Sequence, residues 1–322
     1  MRSRRLFVLP VLLALLAASC RSNGPSGDGE PTESGGRMVA AVASADLYAN
    51  APQRFAIGLP FADGRLVSFG SVGVRFSYTG TAEQSIAPQP GPEATAAYVP
   101  TPGTPDGGGS VPIVTQPSEA RGVYEARGVT FDAAGIWQVE VTADIQGAGT
   151  RTARASFSVA AVPSLPAPGQ PALKTENLTI RSKDAPLGAI DSRADLHGKI
   201  PDPELHRWTI ARAIEEHRPA LVIFATPVYC LSRFCGPVTD LVDELAKRYD
   251  DRAVFIHVEI WRDFQDQVIN RAAADWLLRN DDLTEPWLYL IGADGTILDR
   301  WGSLFAEDEV AEALRRLPVM SP

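Results

Sequence analysis

Two periodicities divide the chain. From Met38 to about Ala160, apolar and polar residues alternate in short runs bounded by turn residues, as in half-buried strands. The expected strands are Phe55–Leu59, Val72–Tyr78, a run opening at Gly122, Ile136–Val141 and Ala153–Val159. Ala62-Asp63-Gly64 and Asp132-Ala133-Ala134-Gly135 supply turns between them. This spacing predicts an all-β sandwich over residues 38–160. Residues 173–322 follow another pattern. Ala220–Ala225 is a continuous apolar run, as in a strand buried on both faces, Ala253–Trp261 reads as a second buried strand and Trp287–Ile291 as a third strand. Between and around them, 204–217, 237–249, 270–279 and 307–317 read as helices. In the clearest of these, Val238, Leu241, Val242, Leu245 and Tyr249 share one helical face, and Pro237 suits the first turn. Ala293-Asp294-Gly295 turns the chain back into a strand at Thr296–Trp301. The alternation predicts an α/β domain.

Proline and glycine sharpen the boundaries. Residues 86–117 hold eight prolines and five glycines, which predicts a long surface loop or an unstructured insertion in the β domain. Residues 161–172 are a second proline-rich stretch and read as a semi-rigid linker between the domains. Residues 21–37 contain no hydrophobic side chain before Arg37 and read as a disordered tether. Composition then excludes broad classes. A hydrophobic content of 45% is enough for real cores, and a net charge of −9 lacks the basic footprint of a nucleic-acid binder. Three cysteines exclude a disulfide-stapled scaffold and any four-cysteine zinc site.

The first cysteine lies at the end of a targeting signal. Arg2, Arg4 and Arg5 precede the apolar run Leu6–Ala18, which is too short to span a bilayer. Small residues lead into Cys20. Residues 1–20 resemble a bacterial lipoprotein signal peptide with its lipobox, although Ala17 stands where leucine is usual. The resemblance implies lipidation of Cys20 and a protein tethered to the extracytoplasmic face of a membrane. Ordinary cleavage with a free Cys20 is the alternative.

The other two cysteines follow the first apolar strand of the α/β region. The strand leads into Ala225-Thr226-Pro227-Val228-Tyr229-Cys230, Cys235-Gly236-Pro237 opens the next helix, and Glu285-Pro286 stands directly before a later strand. With the turn at Asp294-Gly295 and a closing helix, residues 173–322 resemble a thioredoxin-like domain of the exported redoxin and thiol-disulfide branch. That resemblance implies a cis-proline at Pro286 beside a redox-active disulfide between Cys230 and Cys235. Tyr124 through Trp137 resembles the late hairpin of bacterial immunoglobulin-like domains, where such a tyrosine and tryptophan are core and corner residues. The fold class expected is therefore an immunoglobulin-like sandwich followed by a thioredoxin-like domain.

Four residues separate the cysteines, two more than the family's usual spacing. Residues five apart on a straight helix are roughly 8–9 Å apart, beyond the ~7 Å limit of a disulfide. A bridge therefore needs Cys230 in the loop before the helix. Either cysteine matches the family's attacking thiol by one criterion; Cys230 is taken as attacker and Cys235 as resolver. The expected function is thiol–disulfide exchange with exported proteins, with Cys230, Cys235 and Pro286 as site residues and no cofactor or metal. A protein partner for the β domain is also expected. Three alternatives stay open. One is a non-enzymatic binding module with a structural disulfide. Another is a peroxiredoxin-like peroxidase using Pro227 and Ser232-x-x-Cys235. The third is a Cu(I) site in which His257 joins the two thiolates. In the strand reading, His257 is more often a core residue than a ligand, and His197, His206 and His217 have no ligand spacing.

Overall fold

The computed structural model describes residues 36–104 and 109–320. The signal, Cys20 and nearly all of the tether lie outside the described residues. The first half is built from strands β1 (Ala41–Val42), β2 (Pro52–Gly58), β3 (Leu66–Ser68), β4 (Ser71–Gly80), β5 (Ser85–Pro100), β6 (Ile113–Thr115), β7 (Gly122–Thr130), β8 (Gly135–Ile145) and β9 (Gly149–Val159). Seven form one antiparallel sheet in the order β1-β2-β7-β5-β4-β8-β9, while β3 and β6 pair separately. The sheet curls until its flanks meet. Ala49 N–H donates to the carbonyl of Ala160 at 2.9 Å, and Ala160 N–H donates to Leu47 at 2.8 Å.

Alternation sets the inside of this curl. On β4, Val72, Val74 and Phe76 are buried while Ser71, Gly73 and Arg75 face out. Phe55, Phe76, Phe131 and Trp137 interlock with ring centroids 4.8–5.3 Å apart, mostly edge to face. Tyr124 and Trp137 are both buried. The Tyr124 hydroxyl donates to Phe69 O at 2.7 Å and the Trp137 indole to Ala133 O at 2.9 Å.

The structure corrects the reading of residues 86–117 as loop. Most of that stretch up to Pro100 is the long strand β5. Its partner on one side is β4, and β7 joins the other side only at Ala97–Pro100. Pro88, Pro90 and Pro92 therefore sit where β5 is an exposed sheet edge, the one strand environment that tolerates a missing N–H.

The second half contains α1 (Arg193–His197), α2 (Ile210–Glu215), β10 (Ala220–Ala225), α3 (Cys235–Tyr249), β11 (Val254–Glu259), β12 (Trp261–Asp263), β13 (Val268–Ile269), α4 (Arg271–Leu277), β14 (Trp287–Ile291), β15 (Ile297–Gly302) and α5 (Glu307–Arg315). A four-stranded sheet runs β11-β10-β14-β15, with β10 and β11 parallel and the other pairs antiparallel. Helices cover both faces. Leu221, Ile223, Leu288 and Leu290 pack with α3 and α5. Val222, Phe224, Tyr289 and Ile291 pack with α2 and α4. Two covered faces explain why β10 and β14 read as unbroken apolar runs. The single helix expected over 204–217 is instead a 3-10 turn at Pro203–His206 followed by α2. Thr209 caps α2 by accepting from Arg212 N–H at 3.1 Å, which starts a new helix instead of continuing the turn. Among the described residues no helix is long and apolar enough to cross a membrane.

The proline-rich stretch 161–172 does not stand free as a spacer. Gly169 and Ala172 donate to Ile297 and Gly295 at 2.8 Å, and Ile297 donates back to Gln170 at 2.9 Å. The segment thereby covers the outer edge of β15. The β and α/β regions also pack together, and from residue 36 onward the described chain forms one compact unit. Ala56, Val99 and Val123 share an apolar cluster with α3 and α5. Arg54 pairs with Asp299 at 2.8 Å and with Glu309. Arg300 pairs with Asp46 at 2.7 Å, both side chains almost wholly buried.

Candidate functional site

The turns after β10 carry Cys230, and α3 begins at Cys235. The two are joined in a disulfide with Cα atoms 6.0 Å apart, inside the range that a regular helix would exceed. The expectation that Cys230 precedes the helix holds. The two ends of the bridge differ. Cys235 is 0% exposed, at the helix N-terminus, where free N–H groups favour negative charge. Cys230 is 9% exposed and its neighbour Leu231 is 98% exposed. The sulfur of Cys230 lies 3.1 Å from the Ser232 hydroxyl.

Pro286 immediately precedes β14, and the Glu285–Pro286 peptide bond is cis. Ser303 N–H donates to its carbonyl at 3.0 Å. The proline and the disulfide loop border a common cleft of about 750 Å³. Its walls include Tyr229, Leu231, Phe234, Phe264, Pro286 and Trp287. Tyr229 and Phe264 are stacked with ring centroids 4.0 Å apart, and the Tyr229 hydroxyl donates to Asp195 at 2.9 Å. Ala43 and Ala45 of the β region complete one side. The structure thus gathers Cys230, Cys235 and Pro286 at one place.

One residue of this site had no assigned role in the sequence. A carboxylate oxygen of Glu285 and both cysteine sulfurs lie within 4.8 Å of one another. The other features of Glu285 fit a proton-binding group. Its Oε2 is buried without a hydrogen-bond partner. Burial, reinforced by the nearby charge of Glu259, pushes its carboxyl up to about 7. The only sequence signal for it was a charged residue between an acidic loop and a strand-opening proline.

His257 does not join the sulfurs. It lies on β11, fully buried, with Nε2 3.0 Å from Ala225 O. Its Nδ1 faces Asp191 at 3.5 Å, and the same carboxylate oxygen is 3.3 Å from His206 Nε2 and 2.7 Å from the Arg193 guanidinium. Burial alone would raise the Asp191 carboxyl, but His206, His257 and Arg193 hold it far below the usual range. Burial pulls His206 down to about 4, whereas for His257 the pull of Asp191 overcomes burial and raises it. Of the two imidazoles, His257 is thus the one that holds a proton more readily. This charged knot stands behind the disulfide loop, and beside it Ser192 Oγ accepts from Val228 N–H at 3.2 Å. Nothing in the spacing of Asp191, His206 and His257 along the chain announced their meeting.

The two cysteines with Glu285, and Asp191 with the two histidines, are the described clusters whose side chains could hold a metal ion. Ser232, expected in one alternative to serve Cys235, instead lies against Cys230. No protein-family model matches the chain, and no curated protein matches it.

Proposed function

We propose that the chain is a thiol–disulfide oxidoreductase whose Cys230–Cys235 bridge exchanges with thiols or disulfides of exported proteins. The observation that carries this reading is the asymmetry of the bridge. A cysteine in a loop, 9% exposed and beside a 98% exposed leucine, is joined to a cysteine that is 0% exposed at a helix N-terminus. That is the arrangement in which one thiol attacks and the other resolves. Cys230 is the attacking thiol, because it is the less buried of the two and sits in the loop that borders the cleft, and the Ser232 hydroxyl can donate to its thiolate. Cys235 resolves the mixed disulfide from below. Pro286 lines the cleft where a substrate chain would lie.

The α/β region is proposed to be a thioredoxin-like domain. Support comes from the order β11-β10-β14-β15, helices on both faces, and a cis-proline at the start of β14 next to the cysteines. The β region is proposed to be immunoglobulin-like, supported by buried Tyr124 and Trp137 in an antiparallel β fold. With residues 1–20 read as a lipoprotein signal, the site would face the oxidising side of a membrane. The copper reading loses its histidine, because His257 is committed to Asp191 and Ala225.

Replacing the resolving thiol tests the exchange. Cys235→Ser should accumulate a mixed disulfide with a disulfide-containing peptide through Cys230, visible by mass spectrometry. Cys230→Ser should form none. Equal trapping by both variants, or by neither, would contradict the assignment.

A further inference from the structure

We propose that Asp191, His206 and His257 form a zinc site, a closed structural centre behind the disulfide loop and independent of any cysteine chemistry. All three residues are 0% exposed. One nitrogen from each ring and one carboxylate oxygen lie within 4.8 Å of one another. Asp191 Oδ2 is 3.3 Å from His206 Nε2 and 3.5 Å from His257 Nδ1. Donors held about 2.0–2.1 Å from a tetrahedral zinc stand about 3.3–3.4 Å from each other. Two sides of the triangle therefore have nearly the length that the ion requires.

The hydrogen bonds leave these donor atoms free. His257 Nε2 is 3.0 Å from the Ala225 carbonyl, which can only accept, so that nitrogen carries the hydrogen. In the neutral ring the lone pair is then on Nδ1, which is buried, has no hydrogen-bond partner and faces the carboxylate. An imidazole fixed through one nitrogen by a carbonyl and offering the other is the arrangement of metal-bound histidine. Two acceptors that face each other across 3.5 Å repel, and a cation between them turns the repulsion into attraction. His206 Nδ1 is also buried without a partner, so this ring's hydrogen bond is the one to Asp191.

The knot is also short of positive charge. Arg193 is shared by Asp191, Asp202 and Asp240 at 2.7, 2.6 and 2.9 Å, three carboxylates to one guanidinium. In the metal-free chain a proton on an imidazole offsets part of that excess; zinc takes its place, and the proton passes to solvent as the ion binds. The donor set selects the metal. Two imidazoles and a carboxylate suit zinc, with water as the fourth ligand. There is no thiolate to favour Cu(I), and one carboxylate is too few oxygens for calcium or magnesium. The ligands come from the segment before α1, from the 3-10 turn at Pro203–His206 and from β11, so the ion cross-links all three. Ser192, next to Asp191, accepts from Val228 N–H at 3.2 Å, which ties the cross-link to the loop that carries Cys230.

The test uses the full chain with its disulfide intact, so that no thiolate competes. It is equilibrated with chelator-buffered zinc, both as the native protein and during refolding, then desalted and assayed for metal. The chain should retain zinc in equimolar amount and melt at a higher temperature with it. X-ray absorption at the zinc edge should show imidazole nitrogen and oxygen around the metal and no sulfur. His257→Gln and Asp191→Asn should each weaken zinc by more than about 100-fold, the upper range for losing only a supporting partner of a ligand. Cys230→Ser should bind zinc like the unsubstituted chain. Failure of the unsubstituted chain to retain zinc by either route, or sulfur in the coordination shell, would overturn the proposal whether or not the variants fold. So would unchanged affinity in His257→Gln, which would place the ion elsewhere on the protein.

Discussion

Leu231 presents its whole side chain to water beside the less buried cysteine, while Val228 and Phe234 of the same loop are half-buried and Val238, Leu241 and Leu245 of α3 are buried. Holding a leucine in water gains nothing for the fold. It is useful where a partner covers it. Leu231→Ser should therefore leave thermal stability within about 0.5 kcal/mol. It should weaken exchange with a protein substrate by about tenfold, near 1.4 kcal/mol, without changing the rate with a small aromatic disulfide. Comparing the two substrates by stopped flow checks this. Equal losses with both would mean that the leucine shapes the loop and not the contact. At this scale the cysteines and Pro286 were legible because their residue types carry rare chemistry. Glu285, Leu231 and Asp191 were not, since an acid or a leucine acquires meaning only from what surrounds it.

The elements around the site are joined by charge as well as by apolar packing. Asp191 before α1, His206 in the 3-10 turn, and His257 on β11 meet in a dry interior, and His257 reaches on to the last residue of β10. His206 binds a proton less readily folded than unfolded, its folded value being about 4 against an ordinary 6.5. Its contribution to stability is therefore present above pH 6.5 and is lost as pH falls towards 4. The loss from this group amounts to about 3 kcal/mol. Thermal melts followed by circular dichroism should show the midpoint falling over that range, and His206→Gln should flatten the fall. A slope unchanged by the substitution would assign acid sensitivity elsewhere. Periodicity made α3, β10 and β14 legible nearly to the residue, because each buries a whole face or both faces. Strand β5 was hidden by its own prolines, which signal loop unless an unpaired edge is known to receive them. Helix α1 has five residues, too few for any period to show.

On the scale of the molecule, the β region and the α/β region share buried contacts that a chain divided by a proline-rich linker did not suggest. Such contacts join residues far apart in sequence and leave no local pattern. Asp46 lies at their centre, accepting from Arg300 at 2.7 Å and from Ser164 and Leu165 in the linker. Asp46→Ala leaves the buried Arg300 guanidinium with carbonyl partners and no counter-charge, and should cost about 3–5 kcal/mol. Denaturant unfolding should show a lower midpoint and still a single transition; two separated transitions in the unsubstituted protein would mean that the regions fold independently. Ala43 and Ala45 bring the β region to the rim of the cleft, so the intact molecule, not an isolated half, is the material for functional work. The most direct test of the exchange function is a redox titration of the native full chain in thiol–disulfide buffers, read by alkylation and mass. We expect one reversible two-electron couple between Cys230 and Cys235, with a potential above about −300 mV, where catalytic bridges lie. A bridge that stays oxidised far below that potential, or that opens only when the protein unfolds, would contradict a catalytic role and leave it as a structural staple.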